Sequence, residues 1–228
     1  ILNSTREDAE RQRPKVEVLR RAIEAIGLGT EVMAFQEEAN RAQVVRELAE
    51  CDVLFGCMDS IDGRQLLNRV AVFYSIPYFD VGVRLVADGQ GGVTHICGSV
   101  HYLQADGSSL MSRGVVTEER LRSEALRREA PEQFERLKEE GYIAGIVEER
   151  PAVLPVNMLF ASMAVNEFLA RVHAYRHEPN KNYARLMLSL EQVCFYPGED
   201  GEPCEALARH AGRGDVVPLL DRPALSER

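Results

Sequence analysis

The chain has 228 residues, enough for one large domain or for one domain with a substantial appendage. Its formal net charge of −9 argues against a surface that binds duplex nucleic acid or an anionic membrane, and no run approaches the roughly 18 to 20 apolar residues of a membrane span. Five cysteines at irregular spacing are typical of reduced thiols and predict a soluble, cytoplasmic protein rather than a disulfide scaffold.

The first third of the chain alternates between helical and extended patterns. Apolar residues recur at helical spacing after Pro14 and predict a helix that Gly27 ends. Residues 30–35 alternate and predict a strand, after which Asn40 would cap a second helix. Residues 52–57 form the continuous apolar run of a buried parallel strand.

A helix over residues 63–74 and a strand over residues 78–81 continue the alternation. This order predicts an α/β fold, a doubly wound, Rossmann-like and mostly parallel sheet. The G-x-G-x-x-G segment that commonly opens such a fold is not found near the start of the chain.

After Gly82 the pattern changes to short strands and charged helices. We expect antiparallel strands to continue the sheet, and then a C-terminal helix and a tail. The predicted elements are strands over 84–87, 92–96 and 99–103, charged helices over 117–140 that Pro131 divides, an apolar helix over 155–176, a strand over 184–195, and a loose tail after Pro197.

Four polar residues could carry chemistry. Asp59 directly follows the buried strand, Arg64 lies on the first turn of the next helix, and Asn68 follows one turn later on the same face. Lys15 begins a helix, where a cation can meet phosphate groups. Each also has a plainer interpretation: a helix cap, an exposed arginine, a buried asparagine and a solvated lysine.

The pattern Asp59-x4-Arg64-x3-Asn68, continued by the Ile-Pro-Tyr strand after it and preceded by Lys15, resembles the ThiF/MoeB/HesA family. These proteins are ATP-dependent adenylyltransferases related to ubiquitin-activating enzymes. The resemblance implies that Asp59 binds Mg²⁺ and nucleotide, that Lys15 binds phosphate, and that Arg64 and Asn68 position the nucleotide. Asp59 and Arg64 would be the catalytic residues.

The resemblance covers about residues 1–176 and implies an adenylation domain there, with residues 115–150 as a charged helical crossover segment. Residues 177–228 would form a C-terminal strand and tail. Residues 1–3 resemble the continuation of the family's Asn-Leu-Asn-Arg segment. The family's arginine, glycine-rich phosphate loop and ribose-binding acid would therefore precede residue 1, so that the first βαβ unit would be missing.

The implied activity is the activation of a C-terminal carboxylate as an acyl-adenylate, with ATP and Mg²⁺. The expected partner is a small ubiquitin-like or sulfur-carrier protein, and the expected assembly is a homodimer. No partner among nucleic acids or membranes is expected.

Two departures from the family concern cysteine. Many members hold zinc with two Cys-x-x-Cys pairs, whereas here the first position has Ser109 and Ser112 and the second has Cys204 and Leu207. Zinc is therefore not expected, because serine hydroxyls are poor zinc ligands. Residues 98–193 contain no cysteine, so the crossover helices cannot supply a thioester-forming thiol.

Two alternatives stay open from the sequence. The chain could be a non-catalytic relative that keeps the fold as a scaffold or regulatory subunit, which the lost thiol pairs favour. A nicotinamide-dependent dehydrogenase is the weaker alternative, because no catalytic constellation of His, Lys or Tyr follows the sheet.

Overall fold

The computed structural model describes residues 2–87, 90, 92–140 and 153–226, and a five-stranded sheet organises them. In chain order the strands are β1 (Leu54–Gly56), β2 (Tyr78–Ala87), β3 (Val93–Leu103), β4 (Arg185–Ser189) and β5 (Cys194–Gly198). They are neighbours in that same order. The β1–β2 pair is parallel, and the β2–β3, β3–β4 and β4–β5 pairs are antiparallel. The predicted change from parallel to antiparallel strands is confirmed.

The helices account for most of the remaining described residues. They are α1 (Arg6–Glu10), α2 (Lys15–Ile26), α3 (Ala42–Ala49), α4 (Ile61–Tyr74), α5 (Glu118–Glu129), α6 (Pro131–Glu139), α7 (Leu154–Val172) and α8 (Glu205–Ala208). Short 3₁₀ turns follow at Asn180–Tyr183, Leu219–Asp221 and Pro223–Leu225. None of the helices in the described part of the chain is both long and apolar enough to cross a membrane.

Helices cover both faces of the sheet. Successive side chains of β2 point to opposite faces, and each face packs against a helix. Tyr78 and Leu103 face a core formed with α4, which includes Leu66, Val70 and Phe73. The neighbouring positions on β2 and β3 face α7 on the other side and form a second core. That core consists of Phe79, Val81, Val100, Val156, Phe160, Ala164 and Leu188. The α/β class predicted from the sequence is confirmed, but the sheet is mixed rather than mostly parallel, because one of the four described strand pairs is parallel and three are antiparallel.

Residues 30–35 are not a strand in the structure, so that prediction is wrong. The alternation of apolar and polar residues shows which side chains could be buried on one face. A strand also needs a neighbouring strand for its backbone hydrogen bonds. Asn40 does not cap the next helix either. The N-cap of α3 is Arg41, and no side chain makes a cap hydrogen bond there.

Several predicted boundaries in the second half change. The four strands predicted between residues 78 and 103 merge into two long ones, β2 and β3. Gly98 lies within β3 rather than in a turn, and the Phe160 ring fills the space that its side chain would take. The strand expected over 184–195 is a hairpin of β4 and β5. Pro131 divides α5 from α6 as predicted. Residues 141–150 of the predicted crossover segment, including Gly141, lie outside the described residues.

The segment after Pro197 is not loose, which corrects the sequence prediction. Leu219, Leu220 and Leu225 are 6%, 0% and 4% exposed and pack into the α4 core. These leucines recur at neither helical nor strand spacing, so their burial could not be predicted from the sequence. They are buried because they pack against side chains of α4.

Candidate functional site

A short connection joins the carboxyl end of β1 to α4, and three of the four predicted site residues, Asp59, Arg64 and Asn68, lie in this connection or on α4. Gly56 ends β1, and the exposed Asp59 lies in the connection. Ser60 then caps α4, since its hydroxyl accepts a hydrogen bond from the Gly63 backbone N–H at 3.1 Å. Asp59 is therefore an acid at the edge of the sheet where ligands of α/β proteins bind.

Arg64, on the first turn of α4, forms a bidentate ion pair with Asp80 of β2. Its Nε atom donates to Asp80 Oδ1 at 3.0 Å, and its Nη2 atom donates to Asp80 Oδ2. The Tyr78 hydroxyl donates to Asp80 Oδ1 at 2.8 Å. Asp80 is 0% exposed, and the Arg64 side chain is 12% exposed. A carboxylate so deeply buried requires these partners, so the charge of Arg64 is already committed within the protein.

The protonation states of this cluster follow from its burial. Burial is the largest single influence and lowers the pKa of the Arg64 guanidinium, but the hydrogen bond to Asp80 and the charge of Asp80 together leave that pKa raised. Burial, followed by the Asp80 charge, raises the pKa of Tyr78 well above its ordinary value. At neutral pH Arg64 therefore stays charged and Tyr78 stays protonated, so neither can transfer a proton.

Two glycines make room for this cluster. A side chain at Gly56 would clash with the Tyr78 hydroxyl and with Leu67. A side chain at Gly82 would come within 3.0 Å of Arg64 Nη2. The guanidinium can lie against β2 because the strand carries no Cβ atom at that point.

Asn68 is buried, and its contact is structural. Its Oδ1 atom accepts a hydrogen bond from the Leu110 backbone N–H at 2.8 Å, and Asn68 is 2% exposed. The side chain therefore ties α4 to the turn that follows β3. The sequence interpretation of a buried asparagine agrees with this placement.

The structure does not join all four predicted site residues. Arg64 and Asn68 both point into the protein from α4, and their hydrogen bonds lead to Asp80 and Leu110. Lys15 lies on another helix, exposed at the first residue of α2. Lys15 and Asp59 are thus the two predicted residues with exposed charges.

Helix α5 contributes a carboxylate that the sequence analysis missed. Glu124 accepts hydrogen bonds from the backbone N–H groups of Ile61 and Asp62, at 3.2 Å and 2.7 Å. Those N–H groups lack partners within α4, and the positive end of the helix dipole favours an anion there. Glu124 therefore occupies the anion-binding end of α4, next to Asp59. Nothing in the uniformly charged sequence of α5 distinguishes this glutamate from its neighbours.

His101 is a second missed residue, opposite Asp80 in the β2–β3 pair and 3% exposed. Its Nε2 atom lies 3.0 Å from Ser99 Oγ, and its Nδ1 atom lies 3.3 Å from Arg113 Nη1. Burial, followed by the charges of Arg113 and Arg64, lowers the pKa of His101 to about 3. The imidazole is therefore neutral at neutral pH. A histidine in an alternating strand gives no local sign that its face will be covered.

A model of the ThiF family matches residues 4–195, most of the chain. The chain belongs to the ThiF family. A search of curated proteins finds no match.

Solved structures with a similar fold include E. coli MccB with ATP, at 12% identity and a TM-score of 0.59, over 90% of this chain and 52% of that chain. E. coli MccB with MccA-N7isoASN is similar at 14% identity and a TM-score of 0.61, over 91% and 54% of the two chains. The Microcin C7 biosynthetic enzyme MccB in complex with N-formylated MccA is similar at 14% identity and a TM-score of 0.57, over 86% and 52%. This chain thus spans about half the length of those proteins, and the likeness concerns the fold.

The residues of this ThiF-family chain fit a magnesium ion that comes with a nucleotide. At nucleotide sites Mg²⁺ uses one or two carboxylates and completes its shell with phosphate oxygens and water. Asp59 offers an exposed carboxylate of this kind. Within the described ranges, no group of three or more His, Cys, Asp or Glu side chains could hold a metal ion by itself. These residues therefore suit a metal ion that a nucleotide brings and helps to coordinate, rather than one that the protein holds by itself.

The residues do not fit the zinc site that the ThiF resemblance implies for many members. The Ser112 hydroxyl accepts from the Ser109 backbone N–H at 2.9 Å, and the Ser109 hydroxyl accepts from the N–H of Met111 at 3.1 Å. Both hydroxyls are thus used to close a turn. Cys204 is 5% exposed and lies beside that region, because its N–H donates to the Gly107 carbonyl at 3.1 Å. Hydrogen-bonded serines are not the donors that tetrahedral zinc requires.

Arg113 joins the segment of Ser109 and Ser112 to the segment before Cys204 through hydrogen bonds, without a metal. Arg113 donates to Asp200 at 2.8 Å and to the Ser108 hydroxyl at 2.7 Å, and Ser108 in turn donates to Asp200. Arg113 also donates to the carbonyls of Tyr102 and Ala184 at 2.9 Å and 3.0 Å. The Arg113 side chain is 7% exposed. Its five-donor fork therefore links the end of β3, the start of β4 and the segment after β5.

Cys57 lies closest in sequence to Asp59 but is a poor nucleophile. The residue as a whole is exposed, while its thiol is partly covered. Burial, followed by the Asp80 charge, raises the pKa of the Cys57 thiol. A thiol needs a lowered pKa to act as a nucleophile at neutral pH, so Cys57 does not meet that requirement.

Proposed function

We propose that this chain forms part of an ATP-dependent adenylyltransferase, which activates the carboxylate of a peptide or small protein as an acyl-adenylate. The observation that carries the proposal is the position of Asp59. In a member of the ThiF family, an exposed carboxylate lies at the carboxyl end of a parallel strand, immediately before the N-terminus of α4. Ligands of open α/β sheets bind at that edge.

In the proposed reaction a carboxylate oxygen of the substrate attacks the α-phosphorus of ATP. The bond from the α-phosphorus to the bridging oxygen breaks, and pyrophosphate leaves. A magnesium ion held by Asp59 would offset the phosphate charge. Lys15, the exposed lysine at the first residue of α2, is the residue we assign to phosphate binding. No protein nucleophile is needed, because alignment and charge neutralisation carry the barrier reduction.

For Arg64 and Asn68 we propose positioning roles only. Arg64 is held by Asp80 and Asn68 holds Leu110, so both act by fixing α4 and the loop that carries Asp59. Among the four predicted site residues, direct contact with nucleotide is proposed for Asp59 and Lys15.

We keep a non-catalytic scaffold as the second candidate, because a specific observation favours it. Arg64 and Asn68 make buried structural contacts, so the fold alone explains why a chain would carry them. Their presence therefore does not argue for catalysis. The two candidates differ in whether Asp59 binds a nucleotide.

The decisive experiment is calorimetric titration of the chain with ATP in the presence and absence of Mg²⁺. The enzyme proposal expects saturable, Mg²⁺-dependent binding, which Asp59→Asn weakens by about tenfold through loss of one charged ligand. Asp106→Asn removes the same charge from an exposed loop residue and should bind ATP like the parent chain. Equal affinity of the Asp59→Asn variant and the parent would contradict the assigned site.

Because this chain spans about half the length of the similar structures, the titration is repeated with the full natural polypeptide. No binding by the folded full polypeptide would favour the scaffold. If ATP binds, exchange of labelled pyrophosphate into ATP tests for the acyl-adenylate. MccB was solved with the peptide MccA, so short peptides with a free carboxylate and small ubiquitin-like or sulfur-carrier proteins are the substrates to try.

The wider proposals concern assembly and location. We propose a homodimer, as the ThiF resemblance implies, and a cytoplasmic location, as the cysteine pattern implies. We also propose that residues 1–176 form the adenylation domain and that residues 177–228 follow it as a C-terminal strand and tail.

Equilibrium sedimentation of the full polypeptide measures whether it is a homodimer.

A further inference from the structure

Four arginines lie between α4 and the C-terminal segment. Arg209 and Arg213 contact His210 and Arg69 lies near it, whereas Arg222 neighbours Arg69. Arg69 lies on α4, Arg209 and Arg213 follow α8, and Arg222 lies between the last two 3₁₀ turns. The mutual repulsion of Arg69, Arg209 and Arg222 contributes to a lowered pKa of Arg69, after burial, which is the main cause. These guanidinium groups therefore lie close enough to act on one another.

The donors in this cluster are only partly used. Arg69 donates through Nε to the Leu220 carbonyl at 3.1 Å, and its Nη2 atom donates to the same oxygen. Arg222 donates through Nη2 to Asp62 at 2.9 Å. Its Nη1 atom is buried and has no hydrogen-bond partner among the described residues. A buried N–H group of an ionised side chain without an acceptor is costly, and native proteins rarely keep one.

At His210 a second hydrogen-bond donor lacks an acceptor. It is 3% exposed and stacks on Phe73 at 4.9 Å between ring centroids. Arg209 Nε lies 3.1 Å from His210 Nε2, and Arg213 Nη1 lies 3.4 Å from His210 Nδ1. A neutral imidazole has a single acceptor nitrogen. Whichever tautomer is present, one of the two arginines therefore faces an N–H group.

The charge balance around His210 points the same way. Among the described residues, Asp62 pairs with Arg222, and Asp221 lies near His210 and Arg69. Two carboxylates do not balance four guanidinium groups. Asp221 is 51% exposed and lies 4.0 Å from His210 Nε2. The chain as a whole has a net charge of −9, so this local excess of positive charge opposes the overall field.

We propose that Arg69, Arg209 and Arg213 around His210, with Arg222 beside Arg69, bind a phosphate-type oxyanion. Such an anion supplies acceptors to the donors that lack them and balances the guanidinium charges. Arginine forks match the spacing of phosphate oxygens and bind them bidentately. Inorganic phosphate and pyrophosphate share this chemistry. His210 stacks on Phe73 near the C-terminal end of α4, whereas Asp59 precedes the N-terminus of that helix. The proposal stands whether or not the chain has the proposed activity.

The test is calorimetric titration of the chain with inorganic phosphate and, separately, with pyrophosphate, in buffers matched for ionic strength with sodium chloride. We expect saturable binding to the parent chain. The double variant Arg209→Gln/Arg213→Gln changes two exposed residues and should bind at least about tenfold more weakly. Without phosphate, its melting temperature should equal or exceed that of the parent, because two repelling charges are gone.

Two further variants define the outcome. Arg122→Gln removes one charge from an arginine of α5 whose side chain is 82% exposed, and it should bind like the parent. Lys15→Gln removes the cation assigned to phosphate at the proposed nucleotide site and should also leave this phosphate binding unchanged. The proposal is overturned if the parent shows no more heat than the chloride control, or if the double variant binds as tightly as the parent. It is equally overturned if Lys15→Gln abolishes binding, because the anion would then occupy the proposed nucleotide site.

Discussion

Single buried polar residues decide how the candidate site is built. Asp80 is surrounded by apolar strand residues, yet it holds Arg64 and Tyr78 by three hydrogen bonds. On its other side, His101 remains uncharged. The loop with Asp59 therefore lies next to a buried polar cluster in which the charges of Asp80 and Arg64 are paired with each other. At this scale two predictions follow from charge and burial.

Replacing one member of the buried pair should be far worse than replacing both. Asp80→Asn leaves the Arg64 charge without its counterion and should lower the free energy of unfolding by about 3–5 kcal/mol. The double variant Arg64→Gln/Asp80→Asn should lose less than the sum of the two single variants, because no unpaired charge remains. Urea unfolding of the four proteins measures the coupling. Additive losses would mean that the pair does not act as a unit.

His101 should make the chain less stable in mild acid. Its pKa is about 3 in the folded chain against 6.5 for an ordinary histidine, so the unfolded chain takes up the proton first. Its contribution to stability is complete above pH 6.5 and is lost progressively as the pH falls towards 3. The slope is at most about 1.4 kcal/mol per pH unit.

The comparison variant for this test is His101→Gln, which cannot titrate. Free energies of unfolding measured from about pH 6 to pH 4 should fall more steeply for the parent than for the variant. The acids of the chain affect both proteins alike, so the difference reports His101. Parallel pH profiles would show that His101 already titrates in the folded chain much as it does when unfolded.

At the scale of elements, helix α5 matters because it reaches the N-terminus of α4. Glu124 bonds two backbone N–H groups there, and Arg128 of the same helix lies 4.0 Å from Asp62. Leu121 of α5 packs against the α4 core, and the Glu124 carboxylate adds a polar attachment at the helix end. The interaction of that carboxylate with the α4 dipole adds to its hydrogen bonds.

Glu124→Ala should lower the free energy of unfolding by about 1–2 kcal/mol, because two N–H groups of α4 lose their acceptor. Glu118→Ala on the same helix is the matched control. Its side chain is 75% exposed, and its loss should change stability by less than about 0.5 kcal/mol. Thermal or urea unfolding of both variants makes the comparison. A larger effect at Glu118 than at Glu124 would contradict the described contact.

At the scale of the whole molecule, the end of the chain completes the core around α4. The residues after α8 bring three leucines against helix α4, and Arg69 and Arg222 add polar contacts there. A chain that folds in this way buries its C-terminal segment together with residues far earlier in the sequence. Stability should therefore depend on that segment as strongly as on the strands.

Leu220→Ala should lower the free energy of unfolding by about 2–5 kcal/mol, because Leu220 is fully buried and its removal leaves a cavity. Leu28→Ala is the same substitution at a residue that is 84% exposed, and it should be neutral within about 0.5 kcal/mol. Urea unfolding distinguishes the two. Equal effects would mean that the C-terminal segment does not pack on α4.

The sequence alone was sufficient for the class of the fold and the family. Apolar periodicity predicted α2, α4 and α7, and Pro131 predicted the break between α5 and α6, since these signals act over a few neighbouring residues. The sequence also predicted Asp59 as a site residue from its position after a strand, and that role stays a prediction.

Only the tertiary structure decided which polar residues meet. Glu124 reaches α4, Arg64 reaches Asp80, and Arg69 reaches the Leu220 carbonyl, across separations in sequence that carry no periodic signal. The same holds for residues 30–35, which alternate like a strand yet pair with none of the described strands. Hydrogen bonds between distant segments depend on where the folded backbone brings them. A local pattern reports only which side chains are available to form those bonds.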